Sequence, residues 1–334
     1  MINKDKYALY IGRADDILDI KTANGFSYWR KDDCVAEITF TGNMVSTGQP
    51  VMTLKEAWDK GARKLILGIA TPGGKINQED FAPICDALGI GYTIVSGLHM
   101  KLAEIPAILN HPDYKAEKVI ELRNGGKKIM ATGEKRQGNR LLTVGTDCCV
   151  GKMFTALSIH AGLQQRGIKS TFRATGQTGM MIAESGICAD AIINDFLPGN
   201  IEELSPSNDS DHWDIIEGQG SLFNPVAVCI ELLHASQPDA LVVCHEWGRK
   251  IMDGTRNHPM PQLQEVIDLN LTFARMTNPH AKVIGISMNT RRTDKKTAEL
   301  ICRETEDLYG LPCEDIVRHG SDRLLPNESN EKHS

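Results

Sequence analysis

The stretch "LLTVGTDCCVGKMFTAL", residues 141–157, decides how the second half of the chain is read. An apolar run ends in Gly145, a turn containing Gly151 follows, and a helical pattern begins at once with Lys152. A strand, a glycine-bearing turn and a helix in immediate succession bring backbone N–H groups and a helix N-terminus to one point, which makes a cradle for phosphate. Lys152 adds a point charge, while Gly145 and Gly151 permit a tight turn and close approach of an anion. The loop departs from the GxxxxGK[ST] pattern twice. Thr146, Asp147, Cys148, Cys149 and Val150 put five residues between the glycines instead of four, and Met153 stands where a hydroxyl would hold Mg²⁺. The competing reading is a strand-to-helix turn with glycines for steric reasons alone. An adjacent pair, Cys148–Cys149, is a poor bidentate ligand, and small residues suit a crowded turn, so neither thiol is taken as a nucleophile.

Outward from that loop, "KMFTALSIHAGLQQRG" reads as a helix with Phe154, Leu157 and Ala161 on one apolar face. The runs "RLLTV", "STFRAT", "AIIND", "WDIIEG", "DALVVC" and "KVIGISMN" read as strands, and "TAELICRETEDLYG" as a further helix. The first half alternates in the same way, with "YALYIG", "AEITF", "KLILGIA" and "YTIVSG" as strands and "TLKEAWDKGA" and "FAPICDALGI" as helices. Such alternation predicts parallel sheets covered by helices, hence an α/β fold. A Gly-rich, charged stretch at 124–140 interrupts it. The expected organisation is a Rossmann-like α/β domain over 1–135 and a P-loop NTPase-like parallel-sheet domain over 136–334.

The 334 residues carry 37 Lys+Arg against 43 Asp+Glu, a formal charge of −6. That balance offers no global attraction for nucleic acid or an anionic membrane, so a small molecule held by a local cluster is the expected partner. Nine cysteines, an odd number with no CxxC pair, suit reduced thiols better than a disulfide framework or a zinc site. Neither a signal-peptide core nor a bilayer-length apolar run is present, which reads as a cytoplasmic protein. Enzymes of this size acting on small molecules are commonly symmetric homo-oligomers.

Three segments carry a resemblance. "GTDCCVGKM" resembles the GTDTxVGKT loop of dethiobiotin synthetase, "IIEGQGSLFNP" (215–225) its acidic strand end, and "VIGISMNT" its base-proximal Asn strand. The match implies a P-loop domain of that class, with Glu217 at the position of a metal-proximal acid. Over nearly the whole chain, "DIKTANGFSYWR", "LGIATPGGKI", "IVSGLHMKL", "RATGQTGMMI", "IEGQGSLFNP", "SQPDALVVCHEWGR" and "GLPCEDIVRHG" resemble the two-domain family that includes the D-glutamate N-acetyltransferase DgcN. That resemblance implies acetyl-CoA as donor and the amino group of D-glutamate as acceptor, in D-amino acid catabolism. It also accounts for Met153, because CoA carries phosphates that a glycine loop and Lys152 can hold with no Mg²⁺ site. No metal is therefore expected.

Acyl transfer to an amine needs a base for the ammonium proton, and Glu217 and His245 are both expected just after strands, at the edge where ligands bind. Arg249 is a candidate fork for a substrate carboxylate, or else a structural partner of Glu246. Thr175, Gln177 and Thr178 lie in a Gly-rich loop that should adjoin the bound anion, placing them as contacts to the pantetheine or the acceptor, with a simple turn as the alternative. In the first domain, Gly73, Gly74, Ser96 and His99 are expected at one sheet edge as acceptor or interdomain contacts, and Arg30 either as a cation for an acidic substrate or as an arginine on a solvated face. Two rivals stand beside this reading: an ATP-dependent ligase or kinase, weakened by Met153, and a non-catalytic nucleotide-binding protein.

Overall fold

The computed structural model describes residues 5–70, 74–225 and 228–326. They form two compact units, one of Met1–Asn124 with Met180–Glu184, the other of Gly125–Gly179 with Ser185–Ser334.

In the first unit, strands β1 (Lys6–Gly12), β2 (Cys34–Thr39), β3 (Ala62–Leu67), β4 (Thr93–Ser96) and β5 (Val119–Glu121) pair in the order β2-β1-β3-β4-β5, all parallel. Helices α1 (Lys21–Trp29), α2 (Leu54–Asp59), α3 (Phe81–Ile90) and α4 (Pro106–Leu109) connect them. β1 is apolar and buried from Tyr7 to Gly12, as expected of a parallel strand covered on both faces. α3 ends where the sequence predicts because Gly91 adopts the left-handed conformation of a helix stop. α1 was not anticipated. Its Ala23 lies so close to Gly68 that a Cβ there would sit 2.4 Å from the alanine Cβ.

Residues 180–184 complete this unit. The Arg30 guanidinium donates to the Ile182 carbonyl at 2.7 Å and to Glu184 at 3.2 Å, and pairs with Asp33 at 2.6 Å. Tyr7 also donates to Glu184, whose backbone is left-handed at φ 57°. Arg30 is thus taken up by the fold itself.

The second unit contains β6 (Asn139–Gly145), α5 (Lys152–Gln165), β7 (Ser170–Arg173), the start of α6 (Gln177–Ala183), α7 (Leu197–Leu204), β8 (Trp213–Ile216), α8 (Cys229–Ser236), β9 (Ala240–Glu246), α9 (Leu263–Arg275), β10 (Lys282–Asn289), α10 (Lys295–Tyr309), β11 (Cys313–Glu314) and α11 (Ile316–His319). Its six strands are parallel in the order β11-β10-β9-β6-β8-β7. Alternate residues Leu142, Val144, Leu241, Val243, Ile286 and Met288 share a core with Leu197 and Ile201 of α7, Leu232 and Leu233 of α8, and Val266 and Ile267 of α9. The intervening positions include Cys244 and Ser287, both bonded to Thr155 of α5.

Two expectations are corrected. "AIIND" is not a strand: Ala189–Ala191 and Asn194–Phe196 are single 3₁₀ turns leading into α7. Ile192 is buried and Ile193 exposed, which mimics strand alternation, but the Ala189 N–H bonds the Thr175 carbonyl, so the segment crosses over instead of extending. The buried side of α5 runs through Thr155, Ile159, Gly162 and Leu163 and keeps only Leu157 of the predicted face. Gly162 sets this, since a Cβ there would lie 2.9 Å from Ser321 Oγ. None of the nine cysteines forms a disulfide, and four of them are buried. Among the described residues no helix is long and apolar enough to cross a membrane.

Candidate active site

β6 ends at Gly145 and α5 starts at Lys152, so the six-residue loop Thr146–Gly151 between them is the phosphate-cradle candidate. Gly151 is left-handed at φ 114° and α5 carries no side-chain cap, which leaves the first amides of a 14-residue helix without an intrahelical acceptor. The loop is tightly wound. A Cβ on Gly145 would lie 2.9 Å from Val150 and 3.0 Å from the Cys244 carbonyl, and Cys149 is itself left-handed at φ 56°. Lys152 is buried, its chain passing beside Gly145 and Gly218, and its ammonium donates to the Asp147 carbonyl at 2.6 Å. Met153 is half-buried in the first turn of α5 and offers no oxygen.

Asp147 anchors the loop from beneath. Its buried carboxylate accepts from Asn224 at 2.8 Å, Arg249 at 2.8 Å and the Asp253 N–H at 2.7 Å. Burial alone would lift this carboxyl, but those donors outweigh it and hold the group below the usual carboxylate range. Arg249 also donates to the Cys148 carbonyl at 2.8 Å and pairs with buried Glu246. Its guanidinium is therefore a strut of the loop, the structural alternative raised from the sequence. Asp147→Ala, which leaves this partly buried guanidinium short of one partner, should cost about 3 kcal/mol, read as a lower thermal midpoint; Asp147→Asn should lose less.

Glu217 follows β8 directly, and its carboxylate accepts from the Thr175 and Gly176 N–H groups at 2.9 and 3.2 Å. Thr175 returns a bond from Oγ1 to the Glu217 carbonyl at 2.6 Å, and Gln219 donates to the same Oγ1 at 3.1 Å. Gly179 allows the packing, since a Cβ there would sit 2.3 Å from Glu217 Oε2. Burial pushes the Glu217 carboxyl up to about 7 against the pull of the two N–H groups and of Lys152. His245 is the penultimate residue of β9, paired with Met288, and not beyond the strand as expected. Its Nδ1 lies 3.1 Å from Thr146 Oγ1, and burial, followed by the Arg249 charge, pushes its pKa down to about 4. At neutral pH the imidazole is uncharged.

The second unit thus brings Gly145–Met153, Thr175, Glu217, His245 and Arg249 to one edge of its sheet. Gln177 and Thr178 open α6 beyond Thr175. In the first unit, Gly74 packs on His99, where a Cβ would lie 2.3 Å from the ring, and the Met100 N–H bonds the Gly74 carbonyl. Ser96 is buried at the end of β4, with its Oγ accepting from the Leu98 N–H at 3.4 Å. Gly73 lies outside the described residues. Among the described residues no three His, Cys, Asp or Glu side chains are grouped to hold a metal ion. Sequence reasoning passed over Arg291 and Arg292, which both bond Glu246 at 2.9 Å. Two adjacent arginines at the end of a predicted strand were the available signal.

Fold and loop define the class: an α/β protein with a Rossmann-like first domain and a P-loop second domain. The chain belongs to the DUF1611 family, whose Rossmann-like N-terminal domain of unknown function matches residues 36–125 and whose P-loop C-terminal domain matches residues 129–325. A protein named D-glutamate N-acetyltransferase from Tritonibacter scottomollicae is 44% identical over 322 residues, 96% of this chain and 97% of that one. Another of the same name, from Pseudoalteromonas sp, is 42% identical over 328 residues, 97% and 98% of the two chains. The crystal structure of a DUF1611 family protein from Anabaena variabilis superposes with a TM-score of 0.85 at 31% identity, covering 96% of this chain and 98% of that one.

Proposed function

We propose that this protein is a D-glutamate N-acetyltransferase that takes its acetyl group from acetyl-CoA. The observation that carries the reading from the structure is the pairing of an uncapped α5 and buried Lys152 with Met153 where a metal-binding hydroxyl would stand. Such a cradle suits a diphosphate ester whose phosphates are held but not transferred. The two relatives named for this activity, each matched along nearly its whole length, supply the acceptor. With the reading go the expectations of a cytoplasmic, homo-oligomeric enzyme of D-amino acid catabolism.

The thioester supplies an activated acetyl group and a good leaving thiolate. The protein must take a proton from the acceptor ammonium, and of the two candidates Glu217, at about 7, is matched to neutral pH, whereas His245, at about 4, is a weaker base. We assign the proton to Glu217. His245, tied to Thr146, would keep the first loop residue in place.

The test is thiol release from acetyl-CoA with D-glutamate, L-glutamate and other amino acids. D-glutamate should be the preferred stimulant; release that no amine stimulates, alongside Mg²⁺-dependent ATP binding, would overturn the reading in favour of a ligase or kinase. Lys152→Ala should raise the acetyl-CoA KM by about 10- to 100-fold, the worth of one charge-assisted hydrogen bond to phosphate, with a smaller change in kcat.

A further inference from the structure

Glu246 is fully buried and accepts from three guanidinium groups. Arg249 spends its outer nitrogens, Nη1 and Nη2, on Asp147, Glu246 and loop carbonyls. Arg291 and Arg292 differ. Each reaches Glu246 Oε1 through Nε alone at 2.9 Å, and among the described residues the Nη1 and Nη2 nitrogens of both have no hydrogen-bond partner. Their side chains are 41% and 54% exposed. One carboxylate therefore pins two neighbouring arginines by their inner nitrogens and leaves two guanidinium forks open.

Charge points the same way. Three guanidinium groups face two carboxylates, Glu246 and Asp147, so the cluster keeps an excess positive charge. Burial would raise the Glu246 carboxyl, but Arg249 and Arg291 outweigh it and hold it ionised and low. Paired forks on a rigid anchor bind a tetrahedral dianion well, because each fork can give two parallel N–H···O bonds. The cluster also lies beside the phosphate loop, joined to it through Arg249, Asp147 and the Cys148 carbonyl. Trp247, between Glu246 and Arg249 in sequence, is 40% exposed at that edge, and an open indole is a surface on which a purine stacks.

We propose that Arg291 and Arg292 form a second anion subsite, separate from the phosphate loop, that binds the 3′-phosphate of the adenosine end of CoA. The inference rests on the acetyl-CoA reading and deepens it. The pyrophosphate on the loop is common to CoA and ADP-like ligands, whereas a phosphomonoester on the ribose is what CoA has and ATP lacks. This pair is then the element that selects CoA.

The experiment compares CoA with 3′-dephospho-CoA by calorimetry on the whole protein, and acetyl-CoA with 3′-dephospho-acetyl-CoA as donors. The protein should favour the phosphorylated form by about 10- to 100-fold, as expected for charge-assisted hydrogen bonds. In Arg291→Ala/Arg292→Ala that ratio should fall to within about twofold of one. Should the double variant fold poorly, Arg292→Gln alone should reduce the ratio by several-fold. Equal binding of both forms by the unaltered protein overturns the proposal. So does a variant that weakens D-glutamate instead, with the donor ratio kept, which would assign the forks to the acceptor carboxylates. A lowered thermal midpoint with the ratio unchanged would assign them to structure and equally overturn it. Binding is read without turnover, so a protein that prefers CoA yet transfers no acetyl group would sink the proposed function and leave the subsite standing.

Discussion

Glu217→Gln should lower kcat by about 10²- to 10⁴-fold, the usual worth of a positioned base, while changing the acetyl-CoA KM little. Glutamine keeps the length of the side chain and one acceptor oxygen for the Thr175 and Gly176 N–H groups, so loop geometry survives while the proton acceptor is gone. Activity of the unaltered protein should rise with pH through about 7 and level off above it, since the base must be ionised. In the variant that limb should be missing. A Glu217→Gln enzyme with near-normal kcat, or one retaining the same limb, would move the role to another group.

The same substitution has an opposite effect on stability. The folded-state pKa of Glu217, about 7, lies above its ordinary value of 4.5, so the folded protein binds the extra proton and stability falls as pH rises between those values. Above pH 7 the buried charge costs about 3 kcal/mol. Glu217→Gln should therefore melt higher than the unaltered protein at pH 8, and the gap should close near pH 5. Loss of activity with gain of stability distinguishes an electrostatic role from damage to the fold.

Gly218→Ala should prevent stable folding of the second unit. An added Cβ would sit 1.7 Å from the Thr143 carbonyl oxygen, and neither backbone can retreat. β6 and β8 are hydrogen-bonded neighbours up to Leu142 and Ile216, and the Gly218 N–H bonds Thr143 Oγ1 at 3.0 Å. The expected cost is about 4 kcal/mol or more, in the range reserved for severe core lesions, seen as loss of soluble protein or a strongly lowered melting transition. Gly248→Ala is the contrast. Gly248 is left-handed at φ 77° but has nothing within 4 Å of an added Cβ, so only backbone strain of about 1 kcal/mol is expected. Similar melting curves for the two variants would contradict the steric account.

The sequence disclosed what depends on near neighbours. The strand-loop-helix at 139–165, the end of α3 at Gly91 and the whole of β10 follow from apolar periodicity and glycine chemistry. Glu217 was legible because an acid directly after an apolar run emerges at the sheet edge. What stayed hidden depends on partners far along the chain. The sequence offers Glu246 as a partner for Arg249, but nothing local points to Asp147, about a hundred residues earlier, which accepts from the same guanidinium. The close approach of Ala23 to Gly68 explains α1, yet neither residue signals the other. "AIIND" was misread because alternation of buried and exposed residues in a crossover looks the same as in a strand.

One feature of the first unit bears on the order in which the protein comes together during synthesis. Tyr7 and Arg30 emerge early from the ribosome, but Ile182 and Glu184, which take up their polar groups, are made about 150 residues later. A nascent chain ending at Asn124 holds all five strands of the first sheet yet lacks residues 180–184, which belong to the same unit. N-terminal domains generally fold first, but here the partners of Tyr7 and Arg30 arrive only after more than a quarter of the second unit has been made. A fragment of residues 1–124 should accordingly be protease-sensitive near Tyr7 and Arg30, and adding a peptide of residues 177–186 should protect it.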